Sequence, residues 1–149
     1  MPETDRQMKE RQRRLSLFAK ALPEDLAGLF PDLPDHQRLR GPETGSVMVQ
    51  GRSGGSGAPF SLGEVTVTRA SLRLPCGTVG HAMVMGRAKD HALRVAALDA
   101  LFQTPAAAEL GPRLLAPLEA AAAERSRIRA EKAAATRVEF FTLQRGEDA

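Results

Sequence analysis

The chain has 149 residues, and its 21 basic and 18 acidic side chains leave a net charge of only +3 at pH 7. Leu, Ile, Val and Phe together supply 33 residues, about 22%, just above the level near 20% at which chains begin to look disordered, and another 24 residues are alanine. The sequence therefore predicts one domain that folds marginally alone or borrows core from a partner. No apolar run approaches the length of a membrane span, and Met1–Lys20 alternates charges, unlike a secretory signal. The lone Cys76 excludes an internal disulfide and a Cys-based zinc site. We therefore expect a cytoplasmic protein.

Two helices are predicted at the N-terminus, within a helical segment over residues 1–35. Arg6–Leu22 has apolar residues at helical spacing, and Pro23 is suited to the first position of a second short helix that ends before Pro31. Three arginines of the first helix, at positions 11, 13 and 14, favour a solvated face or a partner contact. They are not expected to bind nucleic acid, because no aromatic side chains alternate with them.

Three strands are predicted in the middle of the chain, over Ser46–Gly51, Leu62–Leu74 and Val79–Gly86, and they favour an antiparallel sheet. The apolar face of the second strand changes near Thr68–Arg69, which predicts either a bulge or a strand buried on both sides. In the third strand His81 shares a face with Val79, Met83 and Met85, so it is expected to be a hydrogen-bonded core histidine.

Two further helices complete the prediction. Asp90–Gln103 is apolar over most of its circumference and is expected to be buried against the sheet, which closes a sheet-containing segment over residues 36–104. A long alanine-rich helix over about Leu110–Thr136 offers little side-chain area to bury, and it predicts an arm within residues 105–149. The terminal apolar residues are expected to form a strand at this sheet's edge or another chain's; they are Val138, Phe140, Phe141 and Leu143. The predicted fold class is α+β.

Ten of the thirteen glycines lie between Gly41 and Gly86, and the densest group joins two predicted strands. Glycines allow backbone N–H groups to converge on an anion, and an arginine adds a charged fork, so the anion-binding candidates here are Arg52, Gly54, Gly55 and Gly57. The segment is not a Walker P-loop. A flexible hairpin loop explains the same composition.

A second Gly-Arg pair follows the third strand. If the last two strands form a hairpin, Arg87 falls near the start of the second strand, where it shares one anion site with Arg52 and where Glu64 pairs with either arginine. His91 opens the buried helix and is a further anion-site candidate or a polar first-turn residue. Structural salt bridges explain these charged residues equally well. No set of residues has metal-ligand spacing, and no catalytic set is recognisable.

The sequence resembles the PhnG family, the small subunit of the bacterial carbon–phosphorus lyase core complex. The resemblance covers nearly the whole chain and is carried by Pro42–Phe60, Leu62–Glu64, Thr66–Arg69, Gly77–His81, Gly86-Arg87 with His91-Ala92, Asp99–Leu101, Arg137–Thr142 and Arg145-Gly146. Two positions depart from the family pattern. The family tends to have an aromatic residue in the first helix near Arg14, and this chain departs from that pattern. Ala88 stands where the family tends to have Asp, so that Asp90 is the candidate to replace that carboxylate.

The resemblance implies a subunit that works with PhnH, PhnI and PhnJ, and functionally with PhnL, in two copies of a symmetric hetero-oligomer. It implies a part in forming ribose 1-phosphonate 5-triphosphate: an alkylphosphonate oxygen attacks C1′ of MgATP, the substrate of the complex, and adenine leaves. No cofactor is expected on this chain, and its catalytic residues are not assigned. The alternatives are a purely non-catalytic assembly subunit or a self-contained nucleotide- or phosphate-binding enzyme.

Overall fold

In a computed structural model, which describes residues 3–138, the chain begins with two helices, α1 (Glu3–Lys20) and α2 (Pro23–Leu29). Pro23 occupies the first turn of α2, where a missing N–H costs no hydrogen bond, and Glu24 and Asp25 lie favourably at its positive end. Leu26 of α2 is fully buried. Both predicted helices are confirmed.

A three-stranded antiparallel sheet follows, in the order β1–β2–β3. The strands are β1 (Gln37–Arg52), β2 (Pro59–Arg73) and β3 (Val79–Met85). β1 begins nine residues earlier than predicted, because an edge strand tolerates Pro42 and because shifts of register between positions 38 and 43 take up the extra residues. The predicted antiparallel sheet is confirmed.

The core lies between one face of the sheet and α3 (Lys89–Leu101), as the apolar pattern of that helix predicts. α3 approaches β3 closely at Gly80: a Cβ there would overlap the carbonyl oxygen of Ala96 and lie 2.7 Å from the backbone nitrogen of Ala100. The absence of a side chain at Gly80 therefore sets the spacing of helix and strand. The largest fully buried apolar side chains are Phe18, Leu26, Leu72, Leu98, Leu114 and Leu118.

The long helix α4 (Ala107–Ala135) runs past α1 and α2 and confirms the predicted alanine-rich helix. Leu114 and Leu118 anchor its first half in the core, whereas every residue from Ser126 to Ala135 is exposed. Pro112 and Pro117 both lie inside the helix. The second half thus has the character of an arm. The predicted terminal strand lies almost entirely outside the described residues, although Arg137 and Val138 are not in a strand.

The predicted burial of β3 is wrong. Gly80, Ala82 and Val84 face the core, whereas His81 and Met83 lie on the opposite, exposed side. Successive residues of β3 point to opposite sides of the sheet, and either set of alternating residues is apolar enough for an interior. Because α3 lies so close to β3, the set with the smaller side chains faces it. His81 is therefore not a core histidine.

The change of face in β2 has a different cause from a bulge in that strand. β2 pairs with β3 in unbroken register from Val67 to Arg73, and the shifts near this stretch place the extra residues in β1, between Arg38 and Glu43. A third shift, between Val49 and Gln50, places an extra residue in β2 at Leu62, well away from Thr68. Val67 and Thr68 are both buried, on opposite sides of the central strand. The second alternative, a strand buried on both sides, describes this stretch.

β1 and β2 continue beyond the end of β3. Met85, the last residue of β3, pairs with Val67, so residues 46–52 of β1 and 59–66 of β2 have strand partners only in each other. We refer to this two-stranded extension as the ribbon. Within the described residues, no helix is long and apolar enough to cross a membrane.

Candidate functional site

The glycine-rich segment forms the loop at the tip of the ribbon. Gly54 and Gly55 have positive φ angles of 60° and 82°, which glycine adopts without steric cost. The Gly57 N–H donates to the Ser53 carbonyl at 2.7 Å, and the Arg52 side chain donates across the loop to the Gly57 carbonyl at 3.3 Å. The loop is thus closed by its own hydrogen bonds, and Arg52 is one of its partners.

Arg87 lies on a turn between β3 and α3 that a buried threonine organises. The Thr68 hydroxyl donates to the Gly86 carbonyl at 2.6 Å and accepts the Ala88 N–H at 3.2 Å, while the Gly86 N–H donates to the carbonyl of Thr66 at 2.8 Å. These bonds fix the backbone on both sides of Arg87, and its side chain is exposed at the start of α3.

The residue before α3 is one of the departures from the family pattern. Ala88 is the N-cap and has no side chain with which to accept a hydrogen bond from the first turn. Asp90, the candidate to replace the family's carboxylate, is exposed within that first turn. An acidic side chain there complements the positive helix end, but it does not occupy the capping position.

The structure does not bring Arg52 and Arg87 together. Arg52 pairs with Pro59 at the tip of the ribbon, whereas Gly86 meets Thr66, seven residues farther along β2. At about 3.4 Å per residue the two arginines are roughly 20 Å apart along the strand. The prediction of a shared site placed Arg87 at the start of β2, but β3 is too short to reach that point.

Glu64 lies on the ribbon between those two levels. Its carboxylate accepts a hydrogen bond from the Ser46 hydroxyl at 3.2 Å, across the β1–β2 pair. The structure thus gives Glu64 a hydroxyl partner on the neighbouring strand rather than a bond to Arg52 or Arg87.

His91 is buried and faces α1 rather than the Arg87 turn. Nε2 lies 3.4 Å from the Ala19 carbonyl, which can only accept, so Nε2 carries the proton and Nδ1 is left buried without a hydrogen-bond partner. Burial, with a smaller contribution from the charge of Arg94, lowers the pKa of His91. His91 is thus a packing residue of the contact between α1 and α3, and a role for it in an anion site stays a prediction. His81 is exposed, with Nδ1 2.8 Å from the Ser71 hydroxyl.

Sequence reasoning missed a buried ion pair that joins α1, α3 and β3. The carboxylate of Asp99 is only 2% exposed and accepts two hydrogen bonds from Arg11, at 2.8 and 2.7 Å, and a third from the His81 N–H at 2.9 Å. The bond to Asp99 raises the pKa of Arg11. The available signal was an acidic side chain within the apolar second half of the helix, Val95–Leu101.

The same region protects the free edge of the sheet. β3 is an edge strand, and the backbone groups that it does not share with β2 include the N–H of His81 and the carbonyl of Val79. Asp99 accepts from the first, and Gln103 donates to the second at 3.0 Å. Two side chains, one from α3 and one from the turn that follows it, thus cap two backbone groups of the β3 edge.

A groove of about 670 Å³ runs between α1 and α4. Its lining combines apolar residues with both signs of charge: Leu17 and Leu115, the basic Arg13, Arg14, Lys20 and Arg125, and the acidic Glu10 and Glu119. The arginines of α1 thus divide between two roles: Arg11 makes an internal ion pair, whereas Arg13 is exposed beside the groove.

Among residues 3–138, no group of three or more His, Cys, Asp or Glu side chains is arranged to hold a metal ion. The charged side chains described above form ion pairs and hydrogen bonds that hold elements of the fold together. The exposed arginine on the rigid Arg87 turn is the best-defined anion-binding candidate that the structure offers.

Comparison with known proteins shows which protein family this chain belongs to. The family model described as "Phosphonate metabolism protein PhnG" matches residues 9–146, so it covers the larger part of α1, the other three helices, the sheet and the Arg87 turn. A curated protein of Rhizobium meliloti (strain 1021), "Alpha-D-ribose 1-methylphosphonate 5-triphosphate synthase subunit PhnG", is 44% identical over 142 residues, which cover 93% of this chain and 91% of that protein. The chain belongs to the PhnG family.

Proposed function

We propose that this chain is a subunit of an α-D-ribose 1-methylphosphonate 5-triphosphate synthase and acts in the carbon–phosphorus lyase pathway of phosphonate breakdown. The observation that carries the proposal is the 44% identity to a protein with that name, over nearly the full length of both chains. In the proposed reaction an oxygen of the alkylphosphonate attacks C1′ of MgATP. The bond from C1′ to the base breaks, and adenine leaves with the proton that balances its charge.

The proposed assembly is cytoplasmic and contains PhnH, PhnI and PhnJ with this subunit, in two copies each, and PhnL acts with it. Exposed apolar side chains support association with other subunits, because Met85 and Leu62 are 73% and 67% exposed in the single chain. The predicted interface at the C-terminal tail stays a prediction: Val138 is 68% exposed, and Phe140, Phe141 and Leu143 lie outside the described residues.

Within this assembly we assign Arg87 to an anionic group of the substrates, either the triphosphate or the phosphonate. Both substrates are anions, and arginine binds phosphate oxygens through two parallel N–H donors. The hydrogen bonds of Thr68 hold the Arg87 backbone in place, so little ordering is needed when an anion binds. Arg52 with Gly54, Gly55 and Gly57 forms a second, separate candidate at the tip of the ribbon.

The first experiment measures adenine release from ATP and methylphosphonate by the partner subunits, with and without this chain. Chromatographic detection of adenine gives a direct readout of the transfer. Release that depends on this chain supports its place in the synthase. Equal release without it would reject that role and favour an assembly subunit for a later step. A self-contained enzyme would instead bind ATP as the isolated chain.

The second experiment tests the anion site with variants of this chain in the assembled complex. Arg87→Ala is expected to lower adenine release by roughly tenfold or more, since a hydrogen bond to a charged group contributes about 1.5–3 kcal/mol. Arg113→Ala, which removes an exposed arginine on α4, is the matched control. Full turnover by Arg87→Ala in an intact complex would eliminate the substrate contact and leave the assembly role.

A further inference from the structure

The side of the sheet opposite α3 carries a continuous apolar surface, which we call the outer face. Residues opposite each other on antiparallel strands point to the same side, so the pairs Met85–Val67 and Val65–Val47 place these residues together. At the ribbon tip, a Cβ on Gly51 would lie 3.4 Å from the Phe60 ring. The outer face comprises Val47, Val49, Phe60, Leu62, Val65, Met83 and Met85.

This surface has the pattern of an interior, yet its larger side chains lie in solvent, around Val67, which is only 3% exposed. Exposed fractions are 46% for Phe60, 67% for Leu62, 50% for Met83 and 73% for Met85. At about 200 Å² for a fully exposed large apolar side chain, these four contribute roughly 500 Å². That is more than half of the about 800 Å² that each partner contributes to a standard interface, and soluble monomers rarely expose so large a contiguous patch.

The ribbon strengthens the case for a covering partner. Two strands that pair only with each other are at best marginally stable in water. The ribbon extends past β3 and exposes Met48 on its other side as well. A second layer packed against the outer face would give the ribbon the support that α3 gives the rest of the sheet.

The charge of the outer face indicates what that layer presents. Its end away from the ribbon carries Arg40, Arg69 and Arg73 but only one carboxylate, Glu43, which lies 3.3 Å from Arg40 and 3.8 Å from Arg69. One acidic group thus serves two guanidinium groups, and Arg73 is exposed beside them. Acidic oxygens from another surface would satisfy this end.

We propose that the outer face docks a partner subunit of the synthase, through a surface with an apolar centre and carboxylates at one border. The proposal rests on the proposed function, because it takes its occupant from the same assembly. A second copy of this chain is the less suitable occupant: the basic end of its outer face offers only the carboxylate of Glu43, which already pairs with Arg40 and Arg69.

The test uses the full chain with its partner subunits and compares matched variants. Met85→Asp and Leu62→Asp place a charge on the outer face, whereas Met8→Asp places the same charge on α1, where Met8 is 54% exposed. Arg73→Glu reverses the charge at the basic end, with Arg113→Glu as its control. Binding of each purified variant to the partner complex is measured by interferometry, and circular dichroism verifies that each variant melts as the wild type does.

The outer-face variants are expected to bind at least tenfold more weakly, and the two controls to bind within about twofold of wild type. Unchanged binding of all variants, beside tight binding by wild type, would overturn the docking face while leaving the proposed function intact. Failure of the wild type itself to bind would reject the proposed function and the docking proposal together. Sedimentation of the isolated chain at twice 16.0 kDa, lost on Met85→Asp, would assign the face to a second copy instead.

Discussion

Removal of Arg11 is expected to cost more stability than removal of its partner Asp99, although both changes break the same ion pair. Arg11→Met keeps the aliphatic volume but leaves the 2% exposed carboxylate of Asp99 with only the His81 N–H. Asp99→Asn instead leaves the guanidinium of Arg11, whose side chain is 37% exposed and can turn toward water.

The magnitudes follow from this difference in burial. Loss of one partner from a buried pair costs about 3–5 kcal/mol, because a buried charge is left uncompensated. For Asp99→Asn the lost hydrogen bonds to a charged group cost about 2 kcal/mol, since water replaces part of them. At 2–4 °C per kcal/mol for a chain of this size, Tm should fall by roughly 10 °C for Arg11→Met and by about 5 °C for Asp99→Asn.

Urea unfolding followed by far-ultraviolet circular dichroism is the suitable assay, because the chain has neither Trp nor Tyr to report by fluorescence. Arg13→Met is the matched control: Arg13 is 81% exposed and lies 3.5 Å from Glu119, so its loss should cost less than about 1 kcal/mol. Arg11→Met combined with Asp99→Leu should recover much of the loss, because no charge is then stranded. An Arg11→Met variant as stable as Arg13→Met would refute the reasoning.

Two further predictions concern the core. Gly80→Ala should lower the free energy of unfolding by about 3 kcal/mol, because the added Cβ overlaps the backbone of Ala96. Gly45→Ala is the control, since nothing lies within 4 Å of its added Cβ, and it should melt near the wild-type temperature. Equal melting temperatures for the two variants would contradict the close packing at Gly80. Burial lowers the pKa of His91 in the folded chain. As the pH is lowered through about 6.5, the ordinary pKa of histidine, the unfolded chain therefore binds a proton that the folded chain does not, and the free energy of unfolding decreases. His91→Gln should remove that part of the slope from about pH 7 to 5, and an unchanged difference in Tm would show that His91 is not the group responsible.

Much of the fold was predictable because its signals are local. Helical spacing and Pro23 mark the first two helices, and alternation with intervening turns marks the strands. The burial of β3 was not predictable in this way, because both of its alternating sets are acceptable in an interior. Only the approach of α3 to Gly80 decides which set faces the core, and that approach depends on residues 16–20 positions away.

The candidate site was less predictable, because it depends on register and on distant pairs. Arg52 and Arg87 were expected to share one site, but the register of β2 and β3 separates them by roughly 20 Å. Arg11 and Asp99 are 88 residues apart in sequence and meet only after α1 packs beside α3. Neither the separation nor the pairing is visible in the composition of any one segment.

The caps on the β3 edge also have a consequence during synthesis. Asp99 follows His81 by 18 residues and Gln103 follows Val79 by 24, so both caps leave the ribosome after the strand that they protect. At about 5–20 residues per second the delay is roughly one to five seconds. During that interval the nascent sheet has an uncovered edge, and a chain that stalls before Asp99 keeps it. Prompt translation of α3 therefore protects the growing polypeptide from pairing with strands of other chains.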